Sequence, residues 1–350
     1  MNLTSRIGVG MHRFLITLLT VLGLFSSINA SAAPSINGAG STFAEPIYTR
    51  WMSDFQKKDG TTQYNYQGIG SGAGIRQLLE GTVDFAGSDD PMSEKDAAKA
   101  KSEVLHIPVA MGAVVVSYNV PGLKKPLRLS GPVIAKIFNG GIKKWNDAEI
   151  AKLNPSEKMP DLAITVATRA DGSGTTAVFT EYLAKVSPDW VGKNGKTVNW
   201  FIGSLGAKGN AGVAGLISQN PGAVGYVELL YATENKLAFA LVENKKNQFV
   251  EASAKSVMVA AEGLQKEALE KKFKISLTDS DRKGAYPISS FTWMLIYSQM
   301  PKEKGQAIEK FAKWVLSEEA QKTALSVHYA PVPKDIRAAA LKAIGEIKLN

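Results

Sequence analysis

The chain has 350 residues, 45% hydrophobic and 21% charged, an ordinary globular balance that excludes a disordered or fibrous protein and leaves room for two domains. It contains no cysteine, which excludes a disulfide framework, a zinc–thiolate site and a cysteine-linked lipid anchor. The net charge of +9 raises the question of nucleic acid, but the lysines are scattered among acids, as in Ser93-Glu94-Lys95-Asp96 and from Glu267 to Lys272. That pattern reads as a solvated surface with no nucleic-acid partner.

At the N-terminus, Arg6 and Arg13 precede an apolar run from Phe14 to Phe25, and Ala30-Ser31-Ala32 follows in the pattern a signal peptidase reads. Residues 1–32 are therefore expected to be a secretory signal peptide. An uncleaved anchor is the alternative, but the run falls short of the ~20 apolar residues a spanning helix needs. Cleavage would remove Arg6 and Arg13 and no acidic residue, so +9 becomes +7, and a soluble chain would start near Ala33.

Beyond this segment, helical spacing is predicted over 44–57 (Ile47, Trp51, Phe55), 73–80 (Ile75, Leu78, Leu79), 174–185 (Val178, Phe179, Tyr182, Leu183) and 304–317 (Ile308, Phe311, Val315). Strands are predicted at 63–67, 83–86, 113–118, 163–168, 222–227 and 291–297. The alternation predicts an α/β class. Glycine at every third position from Gly203 to Gly215 predicts a flexible loop. Two segments, 107–113 and 286–290, look like crossings between lobes. Crossing at both divides the chain into a discontinuous lobe I, residues 33–111 with 286–350, and an inserted lobe II, residues 112–285.

Four loops share one design, a strand followed by small or polar residues and usually a helix. They are Gly38-Ala39-Gly40-Ser41-Thr42-Phe43, Gly68-Ile69-Gly70-Ser71-Gly72-Ala73-Gly74, Gly87-Ser88-Asp89-Asp90-Pro91 and Arg169-Ala170-Asp171-Gly172-Ser173-Gly174-Thr175-Thr176. Glycine lets backbone amides approach a ligand, and a helix N-terminus aims unpaired N–H groups at it with the positive end of the dipole behind them. Ser71 or Thr42 alone could be a helix cap with no ligand. Several such loops, with Arg169 and Asp89, point to an oxyanion site.

Other chemistries fit less well. Gly172-Ser173-Gly174-Thr175-Thr176-Ala177 matches a relaxed dinucleotide pattern, but no acidic residue follows at the end of the next strand. Gly195-Lys196-Thr197 ends like a P-loop, yet Trp190 occupies the first glycine position. Past the signal only His106 and His328 remain, both beside apolar residues and outside any metal-spaced cluster. No base is evident for a serine nucleophile, and Asp89-Asp90 reads more readily as a turn or cap than as an acid/base pair.

In this order, these loops resemble the periplasmic phosphate-binding proteins of high-affinity phosphate ABC importers, the PstS family. Ile142-Lys143-Lys144-Trp145, Lys208-Gly209-Asn210 and Gly222-Ala223-Val224-Gly225-Tyr226-Val227-Glu228 add to the likeness, which runs from about Ser35 to about Val332. The resemblance implies a type II periplasmic-binding fold: two α/β lobes joined by a two-stranded hinge, with ligand in the cleft. It carries phosphate contacts onto Thr42, Phe43, Ser71, Asp89, Arg169, Ser173, Gly174 and Thr175, with Asp171 orienting Arg169. Gly72 stands where the pattern has a second Ser, and Thr168 where some members have a basic residue.

The resemblance further implies a periplasmic, monomeric, non-enzymatic receptor without metal or cofactor, which delivers inorganic phosphate to a permease with cytoplasmic ATPases. A receptor for another tetrahedral oxyanion (sulfate, phosphonate, phosphite, arsenate) and a secreted phosphatase are the alternatives. Asp89 is expected to select phosphate, because a carboxylate accepts a hydrogen bond from protonated phosphate and meets only like charge on sulfate.

Overall fold

The structure is a computed structural model, and it describes residues 35–350. The proposed signal peptide, residues 1–32, lies outside the described residues. In chain order the elements that build the site are β1 (Ser35–Gly40), α1 (Glu45–Asp59), β2 (Gln63–Gly68), α2 (Ser71–Glu80), β3 (Phe85–Ser88) and β4 (Val104–Tyr118). They are followed by β5 (Thr165–Arg169), α3 (Gly174–Val186), β6 (Leu205–Ala207), α4 (Gly209–Gln219), β7 (Ala223–Glu228), β8 (Ser289–Tyr297) and α5 (Lys302–Val315).

The predicted α/β alternation becomes one run of strands ordered β2-β1-β3-β8-β4-β7-β5-β6. β1 pairs in parallel with β2 and β3, and β5 pairs in parallel with β6 and β7, so each lobe repeats a strand–helix–strand design. β4 joins the two halves. Its first part, from Val104 to Ala113, pairs antiparallel with β8, and Val114 to Tyr118 pair with β7. Beside that change of partner the Val114 amide donates to the Ile288 carbonyl (2.9 Å), so two chain segments cross together. This is the two-lobed type II binding-protein fold with its two-stranded hinge.

β4 is longer than the 113–118 strand expected. Pro108, which cannot donate to a ladder, sits in it where the register against β8 slips between Thr292 and Trp293. The Val109 carbonyl at the slip accepts from Gln321 Nε2 (2.8 Å).

Apolar spacing explains the helices. α1 buries Ile47, Tyr48, Trp51, Met52 and Phe55 on one face, Pro46 lies in its first turn, and Gly60 ends it at φ 66°. The glycine-spaced segment is a correction: it is not a loop through 215 but forms β6 and helix α4. Val213, Ala214 and Ile217 bury one face of α4, and Gly212 lets it lie against Ala207, where a Cβ would stand 3.1 Å from that side chain. Periodic burial outweighs glycine's poor helix propensity here. Among the described residues, no helix is long and apolar enough to cross a membrane.

Candidate oxyanion site

The first loop leaves β1 through Gly40 at φ 138°, where a Cβ would lie 2.2 Å from the Gly87 carbonyl oxygen, so only glycine fits. Two tyrosines tie back the carbonyls that follow. Tyr231 donates to the Thr42 carbonyl (2.7 Å) and Tyr329 to the Phe43 carbonyl (2.6 Å). The Phe43 N–H has no partner among the described residues, and neither do the N–H groups of Gly174 and Thr175 in the first turn of α3.

Asp89, just after β3, is 2% exposed. The Ser41 hydroxyl lies 2.6 Å from both of its carboxylate oxygens, Thr292 donates to Oδ1 (2.8 Å), and Ser71 to Oδ2 (3.3 Å). Burial pushes the Asp89 carboxyl up to about 6, against the pull of the Ser41 and Thr292 hydroxyls, the Arg169 charge and the Ser71 hydroxyl. Thr292 reaches Asp89 from β8, opposite the register slip that leaves Val109 of β4 without a partner in the ladder.

On the other lobe Arg169 ends β5, its side chain 1% exposed. Asp171 grips it in a fork, Nε to Oδ1 at 2.7 Å and Nη2 to Oδ2 at 2.5 Å, while Nη1 donates to Thr175 Oγ1 (3.3 Å). Three of five guanidinium N–H groups are thereby spoken for, and two remain for an anion. Despite its burial, Asp171 is held below the usual carboxylate range by Arg169 and by the Gly209 amide. Ser173 caps α3 by accepting from the Thr176 amide (3.0 Å).

Residues from the two sides meet here. Gly174 abuts both Ser71 and Asp89 across the cleft, and Asn210 Nδ2 bridges Thr42 (2.8 Å) and Thr175 (3.2 Å) from the two sides. The Gly72 amide donates across to the Gly172 carbonyl (2.9 Å). Neutral hydroxyls and amides outnumber charges here, a donor-rich enclosure suited to a small oxyanion. A Cβ on Gly174 would stand 2.4 Å from Ser71 Oγ and 2.6 Å from Asp89 Oδ2. Gly174→Ala is expected to weaken anion binding at least about tenfold by wedging the lobes apart, while the ligand-free protein melts no lower, since the same change elsewhere stabilises by roughly 0.4–1 kcal/mol. Calorimetric titration beside a thermal melt checks both halves.

Ser41, Thr292 and Asn210 bond directly to the expected residues without belonging to that set, with Tyr231, Tyr329 and Glu228 behind them. Glu228 holds Asn210 through its own amide, which donates to Asn210 Oδ1 (2.9 Å), and burial pushes its carboxyl well above the usual range, toward the neutral form. Ser41 lay in a recognised loop, and Asn210 in the segment Lys208-Gly209-Asn210. Thr292 carried no sequence signal.

A two-lobed fold with donor-rich loops facing each other is the architecture of solute receptors of the periplasmic-binding class, and residues 26–319 match the PBP superfamily domain. The chain belongs to the PstS family of phosphate-binding proteins. It is 41% identical to the phosphate-binding protein PstS of Pasteurella multocida over 319 residues, 89% of this chain and 91% of that one. It is 40% identical to PstS of Haemophilus influenzae over 309 residues, covering 87% and 90%. Among solved structures, the high-affinity periplasmic phosphate-binding protein PfluDING aligns with a TM-score of 0.69 at 20% identity, covering 87% of this chain and 92% of that one. A phosphate-bound putative ABC transporter substrate-binding protein of Clostridium perfringens aligns at 0.62 and 20%, covering 85% and 100%.

Proposed function

We infer that this chain captures inorganic phosphate between its lobes and hands it to an ABC phosphate importer. The observation that carries the reading is Asp89, a buried acceptor set among donors. Thr42, Phe43, Ser71, Ser173, Gly174 and Thr175 offer hydroxyls and amides to the phosphate oxygens, and Arg169, oriented by Asp171, supplies the charge. Asp89 then accepts the remaining proton of the ligand. Family membership supports a receptor over a secreted phosphatase, and Asp89 favours phosphate over the unprotonated sulfate.

Lobe I is assigned to 33–111 and 286–350, and lobe II to 112–285. The change of partner along β4 between Ala113 and Val114, with Ile288 alongside, supports crossings within two or three residues of those limits. The protein acts as a monomer in the periplasm, exported by residues 1–32, and docks on a permease with cytoplasmic ATPases through the rims of both lobes.

Titration of the purified protein with phosphate and then sulfate tests the reading. One phosphate per chain is expected, with sulfate unable to compete at neutral pH. Equal competition by sulfate would move the chain to the wider class of oxyanion receptors, and no binding of either would remove the function.

A further inference from the structure

We propose that Asp90 and Lys196 form a latch across the cleft that sets how long phosphate stays bound. The inference rests on the phosphate-receptor reading. Lys196 Nζ pairs with Asp90 Oδ2 and also donates to the Pro91 carbonyl (3.2 Å). Asp90 follows Asp89 directly on lobe I, whereas Lys196 belongs to the segment between α3 and β6 on lobe II. That segment is pinned to α3 at two points: Ser173 donates its amide to the Lys196 carbonyl (2.9 Å), and Gly195 donates its amide to Thr180 Oγ1 (3.1 Å). The lysine is thus tied to the cap of the helix whose first turn faces the anion. Its side chain is 19% exposed and that of Asp90 37%, so the pair is partly desolvated and screened less than a surface pair. Opening the lobes must break it.

A contact made only in the closed state slows release and leaves capture unchanged. The sign of one substitution separates the latch from a plain field effect. Removing the negative charge of Asp90, beside the site, should by field alone tighten a phosphate dianion. A latch predicts the opposite.

Stopped-flow association and exchange of bound radiolabelled phosphate test this on wild type, Asp90→Asn, Lys196→Gln and the double variant. Each single change is expected to speed release about three- to tenfold, with association within about twofold of wild type. The double variant should release no faster than the faster single. Unchanged or slower release from Asp90→Asn, or effects that multiply in the double variant, would overturn the latch. Wild-type protein that binds no phosphate would instead sink the receptor reading itself, so the two failures are distinguishable.

Discussion

Replacing Arg169 by methionine is expected to weaken phosphate binding by between about thirtyfold and a few thousandfold, the ~2–5 kcal/mol that follows when one member of a buried charged network is truncated. The loss has two sources. The guanidinium is the charged donor of the candidate site, and its removal leaves the largely buried Asp171 without the partner that holds its carboxyl low. It also withdraws the positive charge that opposes the burial-driven rise of Asp89. Asp89 then moves further toward its protonated form at neutral pH, where it no longer accepts the ligand's proton. Discrimination against sulfate should therefore fall along with affinity. Arg169→Lys keeps the charge and loses the planar fork to Asp171, so it should fall between the two. Isothermal titration with both anions is the measurement, and a loss below about tenfold in the methionine variant would deny Arg169 its central place.

What could be read from the sequence divides along physical lines. The loops at Gly38–Phe43, Gly68–Gly74, Gly87–Pro91 and Arg169–Thr176 were legible because each is a local pattern. Strand, glycine and small polar residues lie within a few residues of one another, and the backbone chemistry of such turns and helix N-termini needs nothing further. The helices around Trp51, Phe179 and Phe311 were legible for the same reason, since one face is apolar at helical spacing. The supports of the site are another matter. Thr292 donates to Asp89 from 203 residues away, and Tyr329 fixes the Phe43 carbonyl from 286 residues away. No short-range periodicity encodes such pairs. The glycine run before Ile217 misled because loop composition and a close-packed helix look alike until the neighbouring strand is in place. β4 was cut short because Pro108 reads as a break when the register slip that accommodates it is unseen.

Asp89→Asn should admit sulfate, and the pH dependence of the wild-type protein should reproduce the variant's behaviour. With its carboxyl pushed up to about 6, Asp89 is ionised at neutral pH and offers sulfate only repulsion and an unmet acceptor. As pH falls through about 6 the carboxyl takes a proton and becomes a donor. Wild-type protein should then begin to bind sulfate with uptake of one proton. The asparagine amide is a donor at every pH, so the variant should bind sulfate at pH 7 on the order of a hundredfold more tightly than wild type and without that dependence. Stability moves in the same direction as sulfate binding, rising as pH falls, and so opposes selectivity. A carboxyl raised on folding contributes stability below its unfolded value near 4, and that contribution disappears as pH rises through about 6. At neutral pH the ligand-free protein therefore bears a cost of about 3 kcal/mol for keeping this charge buried. Asp89→Asn should melt higher than wild type at pH 7, with the difference shrinking toward pH 4. A variant that gains thermal stability while losing rejection of sulfate would show the buried charge to be held for selectivity. Sulfate rejection unchanged in the variant would take that role from Asp89.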